Sequence, residues 1–216
     1  MRKAFLYGVA LFIVHAYVVA EYKVFTITLN NKNIVDVYQL EPKKDQNIFA
    51  SLKPLYVETF CDTYEPYTSE QLYVHNKSDI KGVIEAVFES EKTNFCGRNN
   101  ITVFFAKEAE SNKAIGLIIH EMVQDADFIR RVYIRQLVID KRYQGQGLGK
   151  KFVFQTLDVL TENNPAIVTV CTRKINPAVH FYKKLGFVDV PMCEVDPDLP
   201  EYKWHGFMMK INNAND

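Results

Sequence analysis

The chain has 216 residues, 48% hydrophobic and 24% charged, with 26 Lys and Arg against 26 Asp and Glu. That length and apolar fraction fill the core of one mixed domain and exclude a disordered or fibrous chain. The balanced charge gives no general pull toward nucleic acid or an anionic membrane. The four cysteines are too spread for a disulfide scaffold and never pair as CxxC, so no metal site is expected.

Arg2 and Lys3 precede a charge-free run over residues 4–20 that ends Val18-Val19-Ala20, small or short residues of the kind found at a signal-peptidase site. Seventeen residues also reach the lower limit for a single membrane anchor. Export or membrane attachment through residues 4–20 is the expectation, with a buried N-terminal element in a cytoplasmic protein as the alternative. Beyond the leader, alternation predicts strands over 22–29 and 34–40, and the aromatic segment 47–64 reads as helical with an interruption at Pro54. Ser78 and Asp79 precede a helical pattern running to about residue 90, with Ile80, Val83, Ile84, Val87 and Phe88 on one face. Segments 101–106 and 114–122 predict a hairpin across Ser111-Asn112-Lys113, and 128–140 a third strand of the same meander.

A helix over 150–160 follows, with Phe152, Val153, Leu157 and Leu160 on one face. The β-branched run 166–172 suits a buried strand. Asn176, Pro177 and Gly186 stand at the N-cap, N1 and C′ positions of a helix over 177–185. Strands over 187–190 and 204–211 close the chain, separated by an acidic loop.

Between the third meander strand and its helix lies Asp140-Lys141-Arg142-Tyr143-Gln144-Gly145-Gln146-Gly147-Leu148-Gly149-Lys150. Alternating glycines there let backbone amides approach an anion, and the helix N-terminus adds partial positive charge, so a phosphate-bearing ligand is expected. A Walker A loop fails because Gln144 and Lys151 stand where glycine and serine or threonine are required, and a dinucleotide fingerprint fails at Lys150. A glycine-rich connection with no ligand stays open on the turn alone.

The pattern that fits is Gln-x-x-Gly-x-Gly at Gln144, Gly147 and Gly149, preceded by Leu137-Val138-Ile139-Asp140. It resembles the acetyl-CoA loop of the GNAT superfamily of N-acetyltransferases. A second segment, Asn176-Pro177-Ala178-Val179-His180-Phe181-Tyr182-Lys183-Lys184-Leu185-Gly186-Phe187, is similar to that family's asparagine-to-tyrosine helix. The resemblance is specific over 128–190 and architectural upstream to about residue 34. It implies an α/β (α+β) fold over 21–216: a single GNAT-like domain whose central mixed, mostly antiparallel sheet is flanked by helices behind the hydrophobic leader of residues 1–20.

The resemblance further implies acetyl-CoA as co-substrate, its pyrophosphate on the backbone of Gln144, Gly145, Gln146, Gly147, Leu148 and Gly149, with Lys150 reaching the phosphates or simply solvated. It places the pantetheine arm along Leu137, Val138 and Ile139, and adds Asn176, already explained as an N-cap, to the cofactor contacts. Tyr182 would be the general acid for the departing thiolate, where tyrosine on a helix face is otherwise ordinary core. Relatives often carry a glutamate base on the strand before the turn, but Tyr133-Ile134-Arg135-Gln136 offers no carboxylate. Glu121 is the candidate base, with Asp125 or Asp127 behind it.

The expected reaction is transfer of acetyl to a primary amine by direct attack in a ternary complex, on a small molecule or peptide. A non-catalytic acyl-CoA-binding module is the alternative. A cationic acceptor is expected from Glu58, Asp62, Glu65 and Glu70 in the early helical region and Glu194, Asp196, Asp198 and Glu201 in the late loop.

Overall fold

The computed structural model describes residues 22–72, 74–111, 113–124, 130–162, 164, 166–192, 195 and 203–211. The expected leader, Asp125 and Asp127, and Glu194, Asp196, Asp198 and Glu201 lie outside these residues. Among the described residues, no helix is long and apolar enough to cross a membrane.

Eight strands form one sheet in the order β1-β2-β3-β4-β5-β6-β8-β7. They are β1 (Tyr22–Thr28), β2 (Ile34–Leu40), β3 (Ile101–Glu108), β4 (Ala114–Gln124), β5 (Arg130–Ile139), β6 (Ala166–Arg173), β7 (Val188–Val190) and β8 (Trp204–Ile211). Every pairing is antiparallel except β5 with β6. On one face pack α1 (Gln46–Ser51), α2 (Lys53–Tyr64), α3 (Ser69–Leu72) and α4 (Ile80–Gly97), and on the other α5 (Leu148–Thr161) and α6 (Ala178–Lys184). The sheet separates two apolar clusters, one centred on Phe49, Phe88, Phe95 and Phe105, the other on Phe104, Phe152, Phe187 and Phe207. A fully buried side chain of this kind stabilises the fold by about 1.5–3 kcal/mol.

The aromatic segment breaks at Leu52, one residue before α2, which carries Pro54 in its first turn, where a missing N–H costs nothing. The helix expected to stop near residue 90 instead runs to Gly97. Residues 89–92 are all polar, yet Glu91 lies on the buried stripe with Ile84, Phe88 and Phe95. The start of α4 is set by a capping box between Asn76 and Asp79 in the preceding turn, rather than by Ser78.

One irregularity governs the site. On β4 the consecutive residues Ile119 and His120 face Gln136 and Ile134, so Arg135 is an extra residue on β5. The bulge reverses the strand's alternation. Val132 and Ile134 point into the α5–α6 cluster, and beyond the bulge Ile139 does so, with Val138 turned into the opposite cluster.

Candidate active site

The parallel pairing of β5 with β6 begins at Arg131↔Ile167 and ends at Ile134↔Val170, immediately before the bulge. From there β5 stays on β4 as far as Ile139, while β6 stays on β8 as far as Arg173. The two central strands therefore part and, among the described residues, leave an edge of β5 without a strand partner. Asp140 donates its N–H to the Ile115 carbonyl on β4 at 2.9 Å. By antiparallel alternation, the polar groups of Leu137 and Ile139 then face the gap, whereas Val138 faces β4. Gln144 Nε2 meets the Ile139 carbonyl there at 3.0 Å. Of the three strand residues expected to hold the cofactor, Leu137 and Ile139 have that orientation, and the backbone of Val138 faces β4 instead.

The free edge runs directly into the glycine turn. Asp140 closes the first bend by accepting from the Arg142 N–H at 3.0 Å, and Gly145 and Gly147 take φ of 74° and 85°, left-handed values that suit glycine. Gly147 also touches the β1–β2 turn: a Cβ there would stand 3.0 Å from Asn30 Oδ1. At Gly149 a Cβ would stand 3.2 Å from the Phe181 ring, so this glycine lets α5 and α6 approach. Among the described residues, the N–H groups of Gly145, Gln146, Gly147, Leu148, Gly149 and Lys150 find no backbone acceptor. They comprise the turn and the open end of α5, whose dipole places partial positive charge there.

These amides border a cleft of about 780 Å³ between the turn, α2 and α6. Among the described residues, Lys141, Lys150 and Lys184 line it against a single acid, Asp62, which stands 3.6 Å from Lys141. Unpartnered amides, a helix N-terminus and excess lysine fit a ligand with several phosphates. Leu148 is in the core and Gln146 folds back onto the Arg142 carbonyl at 2.7 Å, so neither adds a side chain to this cleft.

A second cleft, of about 340 Å³, lies on the α2–α4 face of the parted strands. Phe60, Leu137, Asn176 and Ala178 border both clefts, which therefore adjoin at the gap. Aromatic side chains from α2, β5 and β8 (Tyr56, Tyr64, Tyr133 and Trp204) form much of its wall. Among the described residues, its charged groups are Glu91, Arg135 and Arg173. Arg135, the bulge residue, binds Glu91 through Nε at 2.9 Å and Nη2 at 3.2 Å, and Glu121 through Nη1 at 2.5 Å. Burial opposes its charge, but the hydrogen bonds and fields of the two carboxylates outweigh burial and raise its pKa above the ordinary arginine value.

Glu121 is further bound by Arg98 and by Asn100, each at 3.2 Å, and does not border the cleft. Its oxygens are committed to cations, which leaves it poorly placed to accept a proton. Glu91, Arg135 and Arg173 did not stand out in the sequence. The available signal was Glu91 itself, a carboxylate three residues after Phe88 on an apolar helical stripe. The acids of the early helical region stay away from this cleft: Glu58, Glu65 and Glu70 border neither cleft, and Asp62 borders the other.

Tyr182 stands at the back of the gap on α6. It is buried, packed against Phe181, Phe187 and Phe207, and borders the second cleft. Burial, reinforced by the nearby Cys171, raises its phenol pKa well above 10, so the group stays protonated. Asn176 caps α6 by accepting from the Ala178 N–H at 2.9 Å, and its amide reaches Tyr64 Oη at 3.4 Å. The helix proper starts at Ala178, one residue later than expected, and Gly186 follows it with φ of 94°. Cys171 faces Tyr133 Oη at 2.8 Å across the parted strands.

Residues 65–196, well over half the chain, match the acetyltransferase (GNAT) domain family. Three solved structures share the fold. The PaiA N-acetyltransferase of Thermoplasma acidophilum in complex with coenzyme A is 16% identical with a TM-score of 0.55, covering 82% of this chain and 98% of its own. The GNAT domain of S. lividans PAT is 9% identical with a TM-score of 0.59, covering 86% and 96%. A GNAT-family acetyltransferase from Staphylococcus aureus Mu50 is 13% identical with a TM-score of 0.55, covering 82% and 99%. No curated protein sequence matches the chain. With the parted parallel strands, the glycine turn at their end and this family match in hand, the chain belongs to the GNAT family of acetyltransferases and is an acyltransferase.

Proposed function

We propose that the protein transfers the acetyl group of acetyl-CoA to a primary amine, both substrates being bound together in the adjoining clefts. One observation carries the reading: the unpaired edge of β5 leads from the amides of the glycine turn, past Leu137, to the gap where Tyr182 is buried. The chain holds the co-substrate in parts. Amides of Gly145 to Lys150, with Lys141, Lys150 and Lys184 around them, take the phosphates. The polar groups of Leu137 and the N–H of Ile139 offer an added strand to the amide-bearing arm, and Asn176 borders the same path.

Bound there, acetyl-CoA supplies an activated acyl thioester. The remaining work falls to side chains. Tyr182, held neutral by burial, donates the proton that the departing thiolate takes up as the carbon–sulfur bond breaks. The amine, an ammonium cation at rest, sheds one proton to water in the acceptor cleft before forming the new carbon–nitrogen bond. It sheds a second afterwards, which restores the phenol. We assign Glu121 to orienting Arg135 instead of taking that proton, because both its oxygens are already bound by cations.

Mixing the protein with acetyl-CoA and a panel of primary amines, and following free thiol, tests the reading. Thiol release stoichiometric with N-acetyl amine is expected. Retention of acetyl-CoA without release in every mixture would leave a binding module.

A further inference from the structure

Among the described residues, the acceptor cleft has three charged side chains, and two of them neutralise each other: Arg135 lies on Glu91 in a two-point contact. The third is different. Arg173, the last residue of β6, has no carboxylate within ion-pair distance among the described residues. Its guanidinium lies 5.8 Å from the Tyr64 ring centre and 5.7 Å from that of Trp204, so one aromatic ring from α2 and another from β8 hold its position. A single N–H is spent, on the Leu72 carbonyl. Guanidinium carries five N–H donors, and those remaining have no acceptor among the described residues, in a cleft large enough for a small molecule.

A cation fixed by two rings, with most of its donors unused, is prepared for an anion with paired oxygens. The phosphates of the co-substrate are not that anion, since Arg173 borders the acceptor cleft and not the cleft of the glycine turn. We propose that Arg173 binds a carboxylate on the acceptor, so that the substrate is a small amine carrying its own carboxylate, such as an amino acid with an apolar or aromatic side chain. The inference rests on the transferase reading above and narrows it. The neighbouring aromatic wall of Tyr56, Tyr64 and Trp204 suits the apolar part, while the carboxylate on Arg173 fixes which way the amine faces. Of the acids expected to draw in a polycation, those of the early helical region border the other cleft or neither.

The test uses matched acceptors, apolar and aromatic L-amino acids and their primary amides, with wild-type protein, Arg173→Gln and Arg173→Lys, following thiol release. The quantity read is the ratio of kcat/KM for acid over amide, divided by the same ratio in Arg173→Gln, which cancels the difference in amine basicity. A quotient of roughly 10–100 is expected, the usual worth of a charge-assisted pair. Arg173→Lys should keep part of it, having the charge without the fork. Acetyl-CoA affinity should be the same in all three proteins, and that measurement also reports that the variants are folded. A quotient near one, or an acid preference that survives in Arg173→Gln, overturns the proposal and leaves the transferase reading standing. Absence of thiol release from every acid and amide, with acetyl-CoA still bound, overturns the proposal, and the same absence across the panel of primary amines overturns the transferase reading as well.

Discussion

The two adjoining clefts are built in opposite ways. The larger one is a backbone device: its amides come from one continuous stretch, Gly145 to Lys150, fed by the free edge at Leu137 and Ile139. The smaller one is a side-chain device, drawing Tyr64 from α2, Glu91 from α4, Arg135 from β5, Arg173 from β6 and Trp204 from β8. A common co-substrate can be gripped by backbone that any sequence with the right glycines supplies. An individual acceptor has to be read by side chains that only the tertiary fold brings together. Substitutions should therefore sort cleanly, with those at the turn altering acetyl-CoA affinity and those in the smaller cleft altering acceptor KM.

The largest effect is expected where the clefts meet. Tyr182→Phe should lower kcat by roughly 10²–10⁴-fold, the range for a positioned acid, with acetyl-CoA affinity within about twofold of wild type by calorimetry. Because burial raises the pKa of that phenol, wild-type kcat should show no alkaline fall from this group below about pH 10. Unchanged turnover in Tyr182→Phe would return the residue to core packing and dissolve the junction between the clefts.

Next in size is Glu91→Gln. It removes one of the two carboxylates on the half-buried Arg135, a loss of about 1.5–3 kcal/mol in denaturant-measured stability for a hydrogen bond to a charged group. The same change should raise acceptor KM and leave acetyl-CoA affinity alone. A weakened acetyl-CoA affinity would show that the two regions are coupled after all.

At neutral pH the smallest effect on either cleft is expected at His120, which lies between the sheet and α5 and borders neither. It is fully buried, bonded through Nε2 to Thr156 Oγ1 at 3.0 Å, and burial pushes its pKa down to about 3. The unfolded chain binds a proton there below about pH 6.5 and the folded chain does not. Stability should thus fall by about 1.4 kcal/mol per pH unit as pH drops from 6.5 toward 3. In His120→Gln that slope should flatten, while both substrate affinities at neutral pH stay as in wild type.

The same contrast explains what the sequence alone reveals. The glycine turn, the asparagine-to-tyrosine helix and the three-strand meander are legible because each is local: φ-demanding glycines, caps and strict alternation sit within a few residues of one another. The parting of β5 from β6 is not, because it depends on one extra residue, Arg135, whose effect appears only when β4 is laid beside it. The length of α4 was hidden for a related reason. Glu91 reads as solvent-facing until Arg135, which is distant in sequence, supplies the partner that makes its burial possible. Val138 and Glu121 show the other side of this: alternation turns the polar groups of Val138 toward β4, and ion pairing with Arg98 and Arg135 occupies Glu121, neither of which a sequence reading displays.

The most direct test of this division is a calorimetric titration of acetyl-CoA into Gly145→Asp alongside Gly145→Asn. Gly145 has φ of 74° and space around it, since an added Cβ meets nothing within 4 Å. Asp and Asn both tolerate that backbone comparatively well and have nearly the same shape, so their difference isolates one negative charge beside the amides of the turn. The account predicts that Asp binds acetyl-CoA at least about tenfold more weakly than Asn, because its carboxylate sits where phosphate should lie. Equal affinity in the two variants, both matching wild type, would mean that the glycine turn is a plain strand-to-helix connection and that the co-substrate is held elsewhere.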